Sequence, residues 1–202
     1  CALPICERAR GLRFSQPGFD RAQWRTFADL GWLALRVSEE DGGLGLGMAE
    51  VCAIARHLGR QLAPEPILAA AVIAPYLPEP ERDLVLAGSR IVLPAFGAFT
   101  PASKPGVIGA THEPVVLGEG ADAYLVAQGS AACLVDRASL GELAVHATQD
   151  GGHIVDLSSP VAAGIPVSVD LAPAREEAAL ALSGYLLGLC EAAFELTREF
   201  LM

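Results

Sequence analysis

Between residues 178 and 190 the chain reads AALALSGYLLGLC, a segment with almost no polar face at helical spacing. Glu176 and Glu177 just ahead of it favour the positive end of a helix, so residues 175–202 are expected to form one long helix. A helix that is apolar nearly all round is stable only when several of its sides are covered. Leaving Leu180, Leu182, Leu186, Leu187 and Leu189 in water would forgo roughly 1.5–3 kcal/mol for each side chain. The fold must therefore supply neighbours for this helix. Gly184 and Gly188, four residues apart, mark a side on which another backbone can come close. The apolar segment is shorter than the roughly 18 residues that a bilayer requires, so no membrane partner is expected.

Upstream of that helix the texture changes twice. Residues 19–87 have helical periodicity. Asp20 suits an N-cap ahead of Trp24, Phe27 and Ala28, and Gly31 suits a left-handed C-cap. A second helix is expected after Gly47, with Val51, Ile54, Ala55 and Leu58 on one face and Gly59 closing it. Pro66 and Pro80 fit the first positions of two shorter helices. From residue 91 to about 171 the pattern becomes seven short apolar runs, IVLPAF, EPVVL, AYLVAQ, AACLVD, ELAVHA, HIVDL and IPVSVDL, parted by turn residues. That spacing reads as strands of a sandwich or barrel, not as strand–helix–strand units. Gln149-Asp150-Gly151-Gly152 is a hairpin turn, because Asp-Gly and Gly-Gly accept the positive φ it requires.

The chain has 202 residues, 14 Lys+Arg against 24 Asp+Glu for a formal charge of −10, and 52% hydrophobic residues. This composition supports a packed core and excludes a disordered chain. The acidic balance argues against nucleic acid or anionic membrane as partners, since both need clustered Lys and Arg. Cys1, Cys6, Cys52, Cys133 and Cys190 form no C-x-x-C pair and read as reduced thiols of a cytoplasmic protein. Cys52 and Cys190 stand in apolar helical surroundings and are expected to be buried. No secretory leader is visible in the first ten residues. A first residue other than Met, and a last one inside a helical pattern, suit a piece of a longer reading frame.

The Gly-rich stretch SEEDGGLGLG, from Ser38 to Gly47, has the setting of a dinucleotide loop but not the spacing. Glu50 stands where the third glycine of G-x-G-x-x-G belongs, and Glu39, Glu40 and Asp41 would repel a pyrophosphate. It reads as a structural turn. His57, His112, His146 and His153 are dispersed and lack metal-ligand spacing, so no metal is expected. Ser130 lies in QGSAA, outside a G-x-S-x-G elbow. His146 and His153 flank the hairpin and read as a solvated pair. These residues reach an architecture and no reaction.

Longer phrases go further. Phe27-Ala28-Asp29-Leu30-Gly31-Trp32-Leu33-Ala34-Leu35, then Ser38-Glu39-Glu40-Asp41-Gly42-Gly43-Leu44-Gly45, resembles the N-terminal domain of acyl-CoA dehydrogenases. The likeness continues through Arg56-His57-Leu58-Gly59-Arg60 and Ala63-Pro64-Glu65-Pro66, and Ala121-Asp122-Ala123-Tyr124-Leu125-Val126-Ala127 looks like a strand of the middle domain. The resemblance implies an α+β multidomain fold. An N-terminal all-α bundle would cover residues 19–90, behind a poorly defined segment 1–18. A middle antiparallel β-barrel would cover 91–172, and the first helix of a C-terminal four-helix bundle 173–202.

The implied chemistry is α,β-dehydrogenation of an acyl-CoA thioester, with FAD as hydride acceptor and the protein supplying geometry and electrostatics. Backbone groups at Phe96, Gly97, Val115 and Val116 are the implied flavin contacts, since main-chain N–H and C=O need no particular side chain. Gly97-Ala98 stands where the family has Thr-Glu, and Val115-Val116-Leu117 where it has Ile-Thr-Asn. No catalytic residue is assigned, because the family's usual base would lie past Met202. Arg56, Arg60 and Lys104 are the cations that could meet CoA, each otherwise a solvated charge. The implied assembly is a homo- or hetero-oligomer with acyl-CoA dehydrogenase subunits. The alternative is a non-catalytic partner subunit of such a heteromer.

Overall fold

The computed structural model describes residues 4–96, 114–128, 131–157 and 164–202; Gly97, Lys104, His112 and Ser130 lie outside them. The helices are α1 (Pro4–Leu12), α2 (Arg21–Asp29), α3 (Met48–Arg60), α4 (Ile67–Ile73), α5 (Glu79–Leu86) and α6 (Ala172–Leu201). The strands are β1 (Val92–Ala95), β2 (Val115–Val116), β3 (Ala123–Gln128), β4 (Ala131–Asp136), β5 (Ala144–Ala147), β6 (His153–Asp156) and β7 (Ile165–Val167). Each apolar run singled out in the sequence holds one of these strands. The mixed architecture of helices, sheets and a long last helix is the one expected. An element not anticipated is α1, in the segment left undefined.

Local chemistry sets the helix ends. Asp20 caps α2 by accepting from the Ala22 N–H at 2.8 Å. Glu50 reaches back from the first turn of α3 to accept from the Gly47 N–H at 2.9 Å. Gly59, expected to close α3, instead lies buried one residue before its last, Arg60, and serves the contact with α6 described below. The Gly-rich stretch is the structural turn expected, a single turn at Glu39–Asp41 capped by Ser38, which accepts from the Asp41 N–H at 3.2 Å.

The strands make two sheets, in the orders β1-β3-β4-β7 and β2-β6-β5. Most neighbours run antiparallel, as expected. One pair, β1 with β3, runs parallel, with Leu93 opposite Tyr124. A parallel pair cannot be joined by a tight hairpin, and residues 96–122 separate the two strands in sequence. The Asp-Gly-Gly turn joins β5 to β6, with Gly151 at φ 89°. The core lies between α2, α4 and the β1–β3 pair, where Trp24, Ile67, Ile73, Leu93 and Leu125 are fully buried.

α6 is held against α3 by main chain on main chain. A Cβ on Gly188 would stand 1.8 Å from the Arg56 carbonyl oxygen, and one on Gly59 would stand 1.9 Å from that of Tyr185. These glycines are what permit the contact. Charged pairs flank it: Arg56 to Glu191 at 2.7 Å and Arg60 to Glu195 at 2.6 Å. Near the start of α6, Glu177 is gripped by Arg36 and accepts from the Tyr76 hydroxyl at 3.0 Å. By length and mean hydropathy, 1.4 over its most apolar window, α6 would suit a membrane span, but these contacts bind it into the helical layer. Its outer face stays bare: Leu180, Leu186 and Leu187 are about half exposed. Cys190, expected inside, is exposed because it follows the inward-facing Gly188 by two residues and so sits on another side; Cys52 is half-buried.

Candidate functional site

An apolar cleft of about 1110 Å³ opens where the helical layer, the two sheets and α6 meet. Leu58, Leu68 and Ala69 from α3 and α4 form one side, Ala178, Ala181, Leu182 and Tyr185 of α6 another. The third is the end of β1 with Phe96, and β2 with Val115 and Val116. The β5–β6 turn and the last turn of α1 frame the mouth. Three of the four residues expected at a cofactor thus line one cavity, although β1 and β2 belong to different sheets. Val115 is buried and Val116 is 65% exposed, so Val116 presents its side chain outward on the cleft wall. Gly97, the fourth, is outside the described residues.

The polar groups of the lining are mostly occupied. The Glu65 carboxylate, fully buried, is gripped by Arg8 of α1 and accepts from the Asp20 N–H at 3.4 Å. Tyr185 donates to the Ala63 carbonyl at 3.3 Å, and burial, then the nearby Glu65 charge, pushes its phenol pKa up. Asp150 at the turn is held by the Thr148 hydroxyl and the Gly152 N–H, which lower its pKa. His153 corrects the expectation of a solvated pair. It is 4% exposed, and in the strand register it faces Ala147, while the exposed His146 faces Ile154. Neither ring nitrogen of His153 has a partner among the described residues. Both are buried, with Nδ1 beside Gly18, and His153 is itself among the residues that line the cleft.

Arg56 and Arg60, considered for CoA, are instead tied to Glu191 and Glu195 on the far side of α6. Among the described residues no group of His, Cys, Asp and Glu could hold a metal. The charged cleft residues that sequence reasoning missed are on α1 and in the following turn: Arg10 and Arg13. The one cue was their helical spacing, in a segment with no other pattern.

Residues 5–77 match the model of the acyl-CoA dehydrogenase N-terminal domain. Beyond that region, the whole described fold is shared with solved structures. A variant of the Tcur3481-Tcur3483 steroid ACAD superposes with a TM-score of 0.75 at 25% identity, over 95% of this chain and 60% of that one. The ChsE4-ChsE5 complex from Mycobacterium tuberculosis gives 0.68 at 26% identity, over 96% and 60%. The chain is similar to acyl-CoA dehydrogenases, by sequence over residues 5–77 and by fold beyond them. The FAD complex of PigA shares the fold at 14% identity, with a TM-score of 0.64 over 96% of this chain and 62% of that one. No curated protein sequence matches significantly. The chain spans about 60% of the length of the acyl-CoA dehydrogenase structures named first.

Proposed function

We propose that this chain is an acyl-CoA dehydrogenase family member, a subunit of a heteromeric cytoplasmic flavoprotein, and that its cleft takes FAD and an acyl-CoA thioester. The observation that carries this reading is the meeting of Phe96, Val115 and Val116 on one wall of a cavity of about 1110 Å³ that α6 closes from the other side. Pockets for drug-sized ligands run to about 1,000 Å³, so a flat ring system and part of an acyl group can share this one. FAD, when bound, would supply the hydride acceptor. Phe96, Val115 and Val116 would hold its ring edge, while Leu58, Leu182 and Tyr185 keep water from the acyl group. The volume of the cleft, and the steroid ACAD among its similar structures, favour a bulky ring-bearing acyl group over a short straight one.

The two-component names of two of the similar structures support a heteromer, and the bare leucines of α6 supply a surface for a subunit to cover. A second reading, the non-catalytic partner subunit, has one observation in its favour. Both carboxylates in the cleft lining are engaged, Glu65 by Arg8 and Asp150 by Thr148 and Gly152, so neither stands ready to take an α-proton.

Co-expression with a homologous subunit, followed by gel filtration and addition of steroid acyl-CoA, tests the assignment. A yellow complex whose flavin band bleaches is expected. A colourless complex would sink the assignment, and bleaching that survives Val116→Trp in this chain would favour the partner reading.

A further inference from the structure

Seven arginines among the described residues each hold a carboxylate. Arg10, Arg13, Arg25, Arg137, Arg175 and Arg198 make no such pair among the described residues, and of these six Arg10 and Arg13 alone line the cleft, both at its exposed edge. In a chain with a formal charge of −10, two exposed guanidinium groups spared from ion pairing at one cavity mouth are a local reversal of sign. They are also held in place. α1 is tied to the helical layer through Arg8 and Glu65. On the sheet side the Phe14 N–H donates to the Gly151 carbonyl at 2.6 Å, and Arg13 Nε donates to the Asp150 carbonyl at 2.8 Å. The Arg13 guanidinium lies 5.1 Å from the Phe14 ring centroid. Gly151 leaves the room for it, since a Cβ there would come within 2.8 Å of the Arg13 stem. Arg13 thus spends one N–H on the turn and keeps its terminal nitrogens. The Asp150 carboxylate beside Arg13 is taken up by Thr148 and Gly152, while Glu7 stands one turn before Arg10 on α1 and forms no ion pair with it.

We infer that Arg10 and Arg13 form an anion seat at the mouth of the apolar cleft, for the phosphate groups of a nucleotide-linked ligand whose apolar part lies inside. Two guanidinium groups three residues apart can share a multi-oxygen anion, which a single carboxylate tail would fill less well. The inference rests on the proposed function, because acyl-CoA and FAD both carry such phosphates.

Calorimetry on the full chain would use two pairs of probes, octanoyl-CoA against octanoyl-pantetheine and FAD against riboflavin. In Arg10→Gln/Arg13→Gln, the phosphate-bearing member of one pair should bind about tenfold more weakly, at roughly three- to fivefold for each exposed charge. Its phosphate-free counterpart should be unaffected. The pair that responds names the source of the phosphate, and raising salt should shrink the difference. Equal binding of both phosphate-bearing probes by wild type and variant would overturn the anion seat and leave the cleft assignment standing. Equal weakening with and without phosphate would overturn it as well. Failure of all four probes to bind wild type would overturn both readings. Circular dichroism of the variant guards against loss of α1.

Discussion

The α3–α6 contact and the cleft beside it are built from the same helix by opposite means. On one side of α6 the main chains touch through Gly59, Gly184 and Gly188, and a row of ion pairs locks the register. On the cleft side, Ala178, Ala181 and Leu182 leave space open and, being uncharged, make no ion pair across it. The first arrangement has one solution, because backbone atoms cannot move aside. The second is defined by what is missing, and side chains there can change without disturbing the fold. Stability and ligand choice are therefore written on different faces of one element.

The sharpest way to break this comparison is Gly188→Ala. Its methyl would meet a backbone oxygen at 1.8 Å, so α3 and α6 must separate, at a cost of about 3 kcal/mol or more. Urea denaturation should show a lower midpoint or no cooperative fold at all. An unchanged midpoint would mean that the two helices can part freely.

The next effect is expected in the sheets. Tyr124 donates to the Gly118 carbonyl at 2.7 Å, and burial raises its phenol pKa from 10.0 to about 12. The unfolded chain ionises first, so this contribution is intact below pH 10 and is lost as pH climbs toward 12. The loss across that window should be about 2 kcal/mol. Tyr124→Phe should flatten the alkaline slope while costing about 1 kcal/mol at neutral pH. An alkaline slope that persists in the variant would refute the assignment.

A smaller effect should appear in acid, on the ion-paired side of α6. Hydrogen bonding from Arg56, with that from Arg60, holds the Glu191 carboxyl below the usual range. Its contribution is present above the ordinary carboxylate range and disappears as pH falls through the depressed value. Thermal melts at low pH should be less sensitive to acid in Glu191→Gln, and in wild type at high salt. Identical acid profiles would show that the pair is only a surface accident. The least change in stability is expected for Val116→Asp on the open wall, within about 0.5 kcal/mol. Flavin and acyl-CoA binding should nevertheless fall at least tenfold by calorimetry. A stable variant with unaltered binding would remove Val116 from the site.

Much of this was legible in the sequence where the physics is local. Asp20 as a cap, Asp150-Gly151 as a turn and the spacing of Gly184 and Gly188 are constraints on a few bonded neighbours, and the structure keeps all three. Phe96, Val115 and Val116 could be grouped only by family resemblance, since nothing in their spacing brings two sheets to one cavity. The misses share a cause. Gly59 looks like a helix stop until the second helix that needs it is in place. His153 looks solvated until Gly18 lies against it, and Arg13 is silent until a turn some 137 residues away lies under it. Long-range packing decided each case.

Spacing fixed by main chain has a further consequence for α6. Once glycine carbonyl contacts set the distance to α3, the leucines on the outer face carry no information about this fold. Selection can rewrite them to suit whatever protein surface lies against them, while the inner face holds still. A single helix can in this way keep an old architecture and acquire a new associate at the same time.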